Sequence, residues 1–119
     1  MAESRSWLTF SSDDIWMGEF RLDPSDPAWG RVNTIHSPGP LIAFPGTTVR
    51  IRHEFQREVV ADPTRAVLYA ADQPYRRGLV SPDGDRCCYV TVSARLAAEA
   101  AEPFDRRAMR KHLGGHECS

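Results

Sequence analysis

Four histidines, three cysteines and a Tyr-Arg-Arg triplet are the residues of this 119-residue chain whose types could carry chemistry. The histidines are His36, His53, His112 and His116. A histidine-based metal centre on a strand needs two imidazoles flanking one residue, then a carboxylate and a later histidine, all converging on one ion. No His-x-His occurs, and His53-Glu54 offers two ligands at most. A stable site takes three or four protein ligands, so no metal and no other cofactor is expected. His116 and Cys118 make only a second two-ligand pair. His53 is expected at a strand end, bonded to a neighbouring carbonyl.

Cys87 and Cys88 are adjacent. In a strand they point to opposite faces and do not pair with each other. Arg86 beside them favours a thiolate, the direction a reactive cysteine needs. Against that, Cys88 is in phase with Val90 and Val92, as a small core residue would be. Tyr75-Arg76-Arg77 could clamp an anion. The two arginines cannot share a face of a strand, so at most one enters an interior. A buried arginine without a partner is costly, so an inward one implies a carboxylate or an anionic ligand. Asp83 and Asp85 flank Gly84 and read as turn-makers rather than a catalytic pair. There is no Gly-rich phosphate loop and no serine in a nucleophile elbow. No catalytic residue is assigned. The basic cluster Arg106, Arg107, Arg110 and Lys111 reads as a solvated helix face rather than a DNA reader.

The elements that must position these groups are short strands. Arg57–Ala61 is β-rich and stops at Asp62-Pro63. Arg65–Ala71 follows, with Val67 and Tyr69 on one face, and stops at Asp72-Gln73-Pro74. Tyr75–Val80 leads to Ser81-Pro82-Asp83-Gly84-Asp85, where proline presets φ and glycine permits its positive value. Arg86–Val92 is the last strand. Upstream, Trp7–Phe10, Ile15–Leu22 and Leu41–Phe44 also read as strands, while residues 28–39 are hard to assign. Thr47–His53 alternates cleanly, with Val49, Ile51 and His53 facing one way. Strands at this spacing indicate a sandwich or barrel. After Ser93, a plausible N-cap, residues 94–102 are rich in helix formers, with Arg95 and Glu99 one turn apart. Pro103 ends that helix, and Asp105–His112 would form a second. The reading is mainly β, a barrel or jelly-roll half with one or two short C-terminal helices. Its parts are a tail and first strand (1–14), the β domain (15–93) and the helical end (94–119).

Several words in the central stretch carry a family resemblance. They are Phe44-Pro45, Val59-Val60-Ala61-Asp62-Pro63, Leu68-Tyr69, Gln73-Pro74-Tyr75-Arg76-Arg77 and Ser81-Pro82-Asp83-Gly84-Asp85-Arg86-Cys87. In order and spacing they resemble the amino-terminal sensor domain of AraC-family transcription regulators, over about positions 8 to 104. Two departures stand out. Gly46 replaces the Arg that often follows Phe-Pro, and Gly78-Leu79-Val80 lies where many members carry a His. The resemblance implies a cupin-like barrel that binds a small-molecule effector and alters contacts to a DNA-binding domain. That domain is not in this chain. Ligand contacts are expected from Tyr69, Tyr75, Arg76, His53 and Cys87.

Composition fits one small globular domain: 41% hydrophobic, 26% charged, formal charge −1. A near-neutral chain lacks the basic footprint of a dedicated nucleic-acid binder. An odd number of cysteines argues against a disulfide framework and for a reducing cytoplasm. No apolar signal core opens the chain, and no run reaches the ~20 residues that span a bilayer. We therefore expect a cytoplasmic, non-enzymatic sensor domain with DNA contact only through a missing part. A small cupin-type enzyme and a protein-interaction module are the alternatives. A homodimer is expected, with the C-terminal helices, through Met109 and Leu113, or an edge strand at the contact.

Overall fold

A computed structural model describes residues 5–102. These form nine strands and a helix. The strands are β1 (Ser6–Ser11), β2 (Ile15–Leu22), β3 (Val32–Thr34), β4 (Leu41–Pro45), β5 (Val49–His53), β6 (Glu58–Ala61), β7 (Val67–Tyr69), β8 (Pro74–Leu79) and β9 (Asp85–Val92). Helix α1 covers residues 94–102. The mainly β architecture expected from the turn spacing is what folds.

Two antiparallel sheets face each other. One has five strands in the order β1-β2-β9-β4-β7, the other four in the order β3-β8-β5-β6. From β2 onward nearly every connection passes from one sheet to the other, so the chain coils around a common interior. The β5–β6 hairpin alone stays within one sheet. The long pair β2–β9 is in register from Ile15↔Val92 to Leu22↔Asp85 and forms the spine of the larger sheet.

Side-chain alternation sets what faces inward. In β5, Val49, Ile51 and His53 are buried while Arg50 and Arg52 are exposed. The buried cluster of Ala43, Val49, Ile51, Ala61, Tyr69 and Tyr75 joins four-stranded-sheet residues to β4 and β7. Among the described residues the largest side chains almost wholly excluded from solvent are Leu22 and Ile51. The interior is thus packed at one part and hollow elsewhere.

Three details differ from the sequence reading. The first strand, expected over Trp7–Phe10, is longer: β1 runs from Ser6 to Ser11 along β2, with a bulge between Leu8 and Phe10. The strand expected at Arg65–Ala71 shrinks to Val67–Tyr69. Asp62 Oδ1 accepts bonds from the Thr64 amide and hydroxyl, and the Arg65 amide donates to the Asp62 carbonyl, so a turn takes the front. At the back, Gln73 Oε1 takes the Ala70 amide and Asp72 sits at φ +60. The segment 28–39 contributes β3, paired with β8.

Helix α1 starts as its sequence dictates. Ser93 Oγ accepts the Leu96 amide at 3.0 Å and itself donates to Asp14. Arg95 bridges Glu99 at 3.1 Å and also meets Asp14. The second expected helix, Asp105–His112, lies outside the described residues.

Candidate functional site

The hollow part of the barrel is a cavity of about 600 Å³. Strand β9 supplies its central row. Asp85, Cys87, Tyr89 and Thr91 alternate inward, opposite Leu22, Phe20, Gly18 and Trp16 of β2. Gly18 is required here: a Cβ at this position would run into the Tyr89 ring and the Trp7 carbonyl. The Tyr89 hydroxyl is thereby placed 2.9 Å from Ser6 Oγ. Thr91 Oγ1 donates to the Pro40 carbonyl at 2.9 Å and ties down the 35–38 loop at the rim.

An ion pair lies in the wall of this cavity. Arg77 of β8 brings Nε to 2.5 Å from Asp85 Oδ2, and both side chains are under a tenth exposed. The approach is a charge contact, with the Nε–H off the hydrogen-bond axis. Arg77 Nη2 also donates to the Tyr75 hydroxyl at 2.7 Å, and its guanidinium lies 4.6 Å from the centre of the Phe20 ring. Burial pushes the Asp85 carboxyl above its ordinary range, and the Arg77 guanidinium pulls it back. The cation is always charged, and it favours the ionised form of the carboxylate it faces. The turn that delivers Asp85 is held by Gly84 at φ +78 and by Thr47, whose Oγ1 donates to the Gly84 carbonyl and accepts the Arg86 amide.

An aromatic wall stands beside the pair. Tyr69 meets Tyr75 edge-on with ring centres 5.2 Å apart. On its other side Tyr69 stacks on His53 at 5.0 Å. Burial raises the pKa of both phenols. Burial also pushes the Cys87 thiol up to about 12, with the Asp85 charge adding to the effect. These groups stay protonated near neutral pH.

The sequence-derived residues separate in space. Tyr69, Tyr75 and Cys87 line the cavity. His53 lies behind Tyr69, lines a separate surface depression, and has Nδ1 against the Gln73 side-chain nitrogen rather than a carbonyl. That amide donates, so the ring proton belongs on Nε2. Burial lowers its pKa. Arg76 turns outward and donates to the Gly30 carbonyl at 2.8 Å. Its neighbour Arg77 takes the inward place because it, not Arg76, is two residues from Tyr75. Asp85, read as a turn-maker, is the buried partner that an inward arginine demands. Cys88 is exposed, not a core residue, because its row of β9 faces outward. Among the described residues no three His, Cys, Asp or Glu side chains converge.

No protein-family model matches the sequence, and no curated protein does. Solved structures do match. An RmlC-like cupin with a double-stranded β-helix fold from Methanocaldococcus jannaschii superposes with a TM-score of 0.56 at 7% identity, over 78% of this chain and 85% of that one. KdgF from Halomonas sp. gives 0.55 at 13% identity, over 73% and 77%. The DMSP lyase DddQ from Ruegeria pomeroyi gives 0.59 at 11% identity, over 75% of this chain but only 46% of that one. At these identities the likeness carries the fold alone: the chain is a cupin-type double-stranded β-helix. Among the described residues no helix is long and apolar enough to cross a membrane.

Proposed function

We propose that this chain is a binding domain whose lumen takes an uncharged small organic molecule, and that it acts as the sensor part of an AraC-like regulator. The observation that carries the binding reading is the charge-balanced ion pair in the wall of an aromatic cavity. Arg77 already faces Asp85, so an anion would meet the carboxylate and a cation the guanidinium. A neutral ligand meets neither penalty. The cavity size is in the range of small-molecule sites. One polar group of its lining, the Tyr69 hydroxyl, has no hydrogen bond among the described residues and is kept protonated by burial. It suits a carbonyl or hydroxyl oxygen on a ligand with an apolar body.

The regulator part of the reading rests on the sequence words of the central stretch. In it, occupancy of the lumen alters contacts to a DNA-binding partner domain. Cys87 and Tyr69 are held protonated, and the carboxylate near them, Asp85, is engaged by Arg77, which supports binding over turnover.

A matched trio tests the ligand class: benzyl alcohol, benzoate and benzylamine, titrated while amide resonances of Cys87, Tyr89 and Thr91 are followed. Benzyl alcohol is expected to shift them. Tyr69→Phe should weaken that binding by about 1 kcal/mol, the worth of one hydrogen bond. Tighter binding of benzoate or benzylamine would overturn the reading.

A further inference from the structure

We propose that the outer face of the five-stranded sheet is the contact surface of a homodimer. The proposal is independent of what the lumen binds. One row of side chains crosses all five strands on this face. Phe10 is opposite Met17, Met17 opposite Val90, Val90 opposite Ile42, and Ile42 opposite Leu68. All are apolar. Phe10 is 50% exposed, Met17 42%, Ile42 38% and Leu68 65%. Trp7 and Phe44 flank the row, also nearly half exposed. The outer face of the four-stranded sheet is built differently: Arg50, Arg52, Glu58 and Arg76 stand there in water.

The area suits a second copy. An aromatic side chain offers roughly 150–250 Å², so half-exposed Trp7, Phe10 and Phe44 with the three aliphatic groups leave about 500 Å² of apolar surface per chain. That is at the upper end of the largest patch a monomer carries. Two copies would together bury about 1,000 Å² of apolar area before any polar rim, which reaches the size of a specific interface.

Symmetry favours the same occupant. The row is centred on β9, the middle strand. A two-fold axis along β9 lays Phe10 over the partner's Leu68 and Met17 over the partner's Ile42, apolar on apolar along this row, while in the flanking row Glu19 meets the partner's Phe44. Such an isologous contact closes on itself and leaves no second copy of the face exposed. It also sets Cys88, exposed and two residues from Val90 on the same face, beside its own counterpart. This contact differs from one through the C-terminal helices or an edge strand.

Sedimentation of the full chain decides the state. The expected mass is twice 13.4 kDa. Val90→Lys and Ile42→Lys, each placing two charges in a symmetric contact, should weaken dimerisation at least ~100-fold and keep a β-type circular dichroism spectrum. A short bismaleimide on the Cys118→Ser chain, in which Cys88 is the exposed thiol among the described residues, should give a covalent dimer that a further Cys88→Ser abolishes. A 13.4 kDa species up to high micromolar concentration would overturn the proposal. So would a monomer that dimerises once residues 103–119 are removed, since the chain's own end would then be the occupant. A dimer unaffected by both lysines, or a crosslink that survives Cys88→Ser, would also overturn it.

Discussion

Along β9 the row facing the lumen is Asp85, Cys87, Tyr89 and Thr91, while the row facing out is Arg86, Cys88, Val90 and Val92. The polar and aromatic groups are inside and the valines outside. Strand β5, across the barrel, follows the ordinary order, with Val49 and Ile51 inside and Arg50 and Arg52 in water. A sheet with one wet face keeps its apolar row on the core side. Strand β9 departs from this because its inner row walls a cavity and carries polar groups there. Its neighbours β2 and β4 keep apolar groups inside, among them Trp16, Phe20, Leu41 and Ala43, and the outer face of the sheet adds an exposed apolar row of its own. In the proposed reading both faces of the sheet are working surfaces, which is where local rules are expected to fail.

The sharpest way to break this contrast is to remove a charge from each row of β9. Asp85→Ala leaves Arg77 buried without its carboxylate and should cost about 3–5 kcal/mol. Arg86→Ala, one residue away on the outer row, should stay within about 0.5 kcal/mol. Urea unfolding of both variants measures the difference. Replacing the pair together, Arg77→Met with Asp85→Leu, should recover most of the loss, since a buried pair exchanged for apolar groups of similar size is often neutral. Equal costs for Asp85→Ala and Arg86→Ala would mean that the inner row is as wet as the outer one.

The strands were legible because alternation and turn chemistry are local. Ile15–Leu22, the inward set of β5 and the Ser93 cap all follow from residues within a few positions. The faces of β8 and β9 were less so. Period 2 from Tyr75 selects Arg77, and that signal was present in the sequence. Nothing local says that Asp85 would turn from the hairpin toward Arg77, because that depends on the pairing of β9 with β2 and on Thr47 gripping the turn from another loop. Cys88 was misplaced for a related reason. Two valines in phase mark an apolar row, and only the tertiary fold tells which side of the sheet that row faces. His53 was placed correctly inward along β5, but the stacked Tyr69 stands between it and the lumen.

Alkaline pH offers a second, smaller separation of the rows. The folded-state pKa of Cys87 is raised to about 12 from an ordinary 9.0. The folded chain therefore holds this proton when the unfolded chain releases it. Its contribution is fully present below pH 9 and is lost as pH rises from there through 12. The loss reaches about 1 kcal/mol near pH 10. Tyr69 and Tyr75, also raised, add to the slope at higher pH. Cys87→Ala should flatten the dependence of thermal stability on pH above 9. A curve as steep as that of the unmutated chain would mean that the inner row does not hold this proton.

The smallest expected difference uses an isosteric exchange in adjacent positions of the two rows. Thr91 Oγ1 donates inward to the Pro40 carbonyl at 2.9 Å, and Val92 is its outward neighbour. Thr91→Val removes one hydroxyl and leaves the shape unchanged. The Pro40 carbonyl keeps the Val92 amide as a longer contact at 3.4 Å, so the cost belongs at the low end for a buried bond, about 0.5–1 kcal/mol. Val92→Thr adds a hydroxyl to a half-buried outer position and should change monomer stability by less. The stability difference alone would be a weak discriminator. Thr91, however, fastens the segment before β4 whose residues His36, Ser37 and Pro38 line the cavity. Thr91→Val should therefore speed hydrogen exchange of the Ile35 and Ser37 amides and weaken benzyl alcohol binding, while Val92→Thr leaves both unchanged. Faster exchange in both variants would show that the rim is held by the strand pair as a whole and not by the inner row.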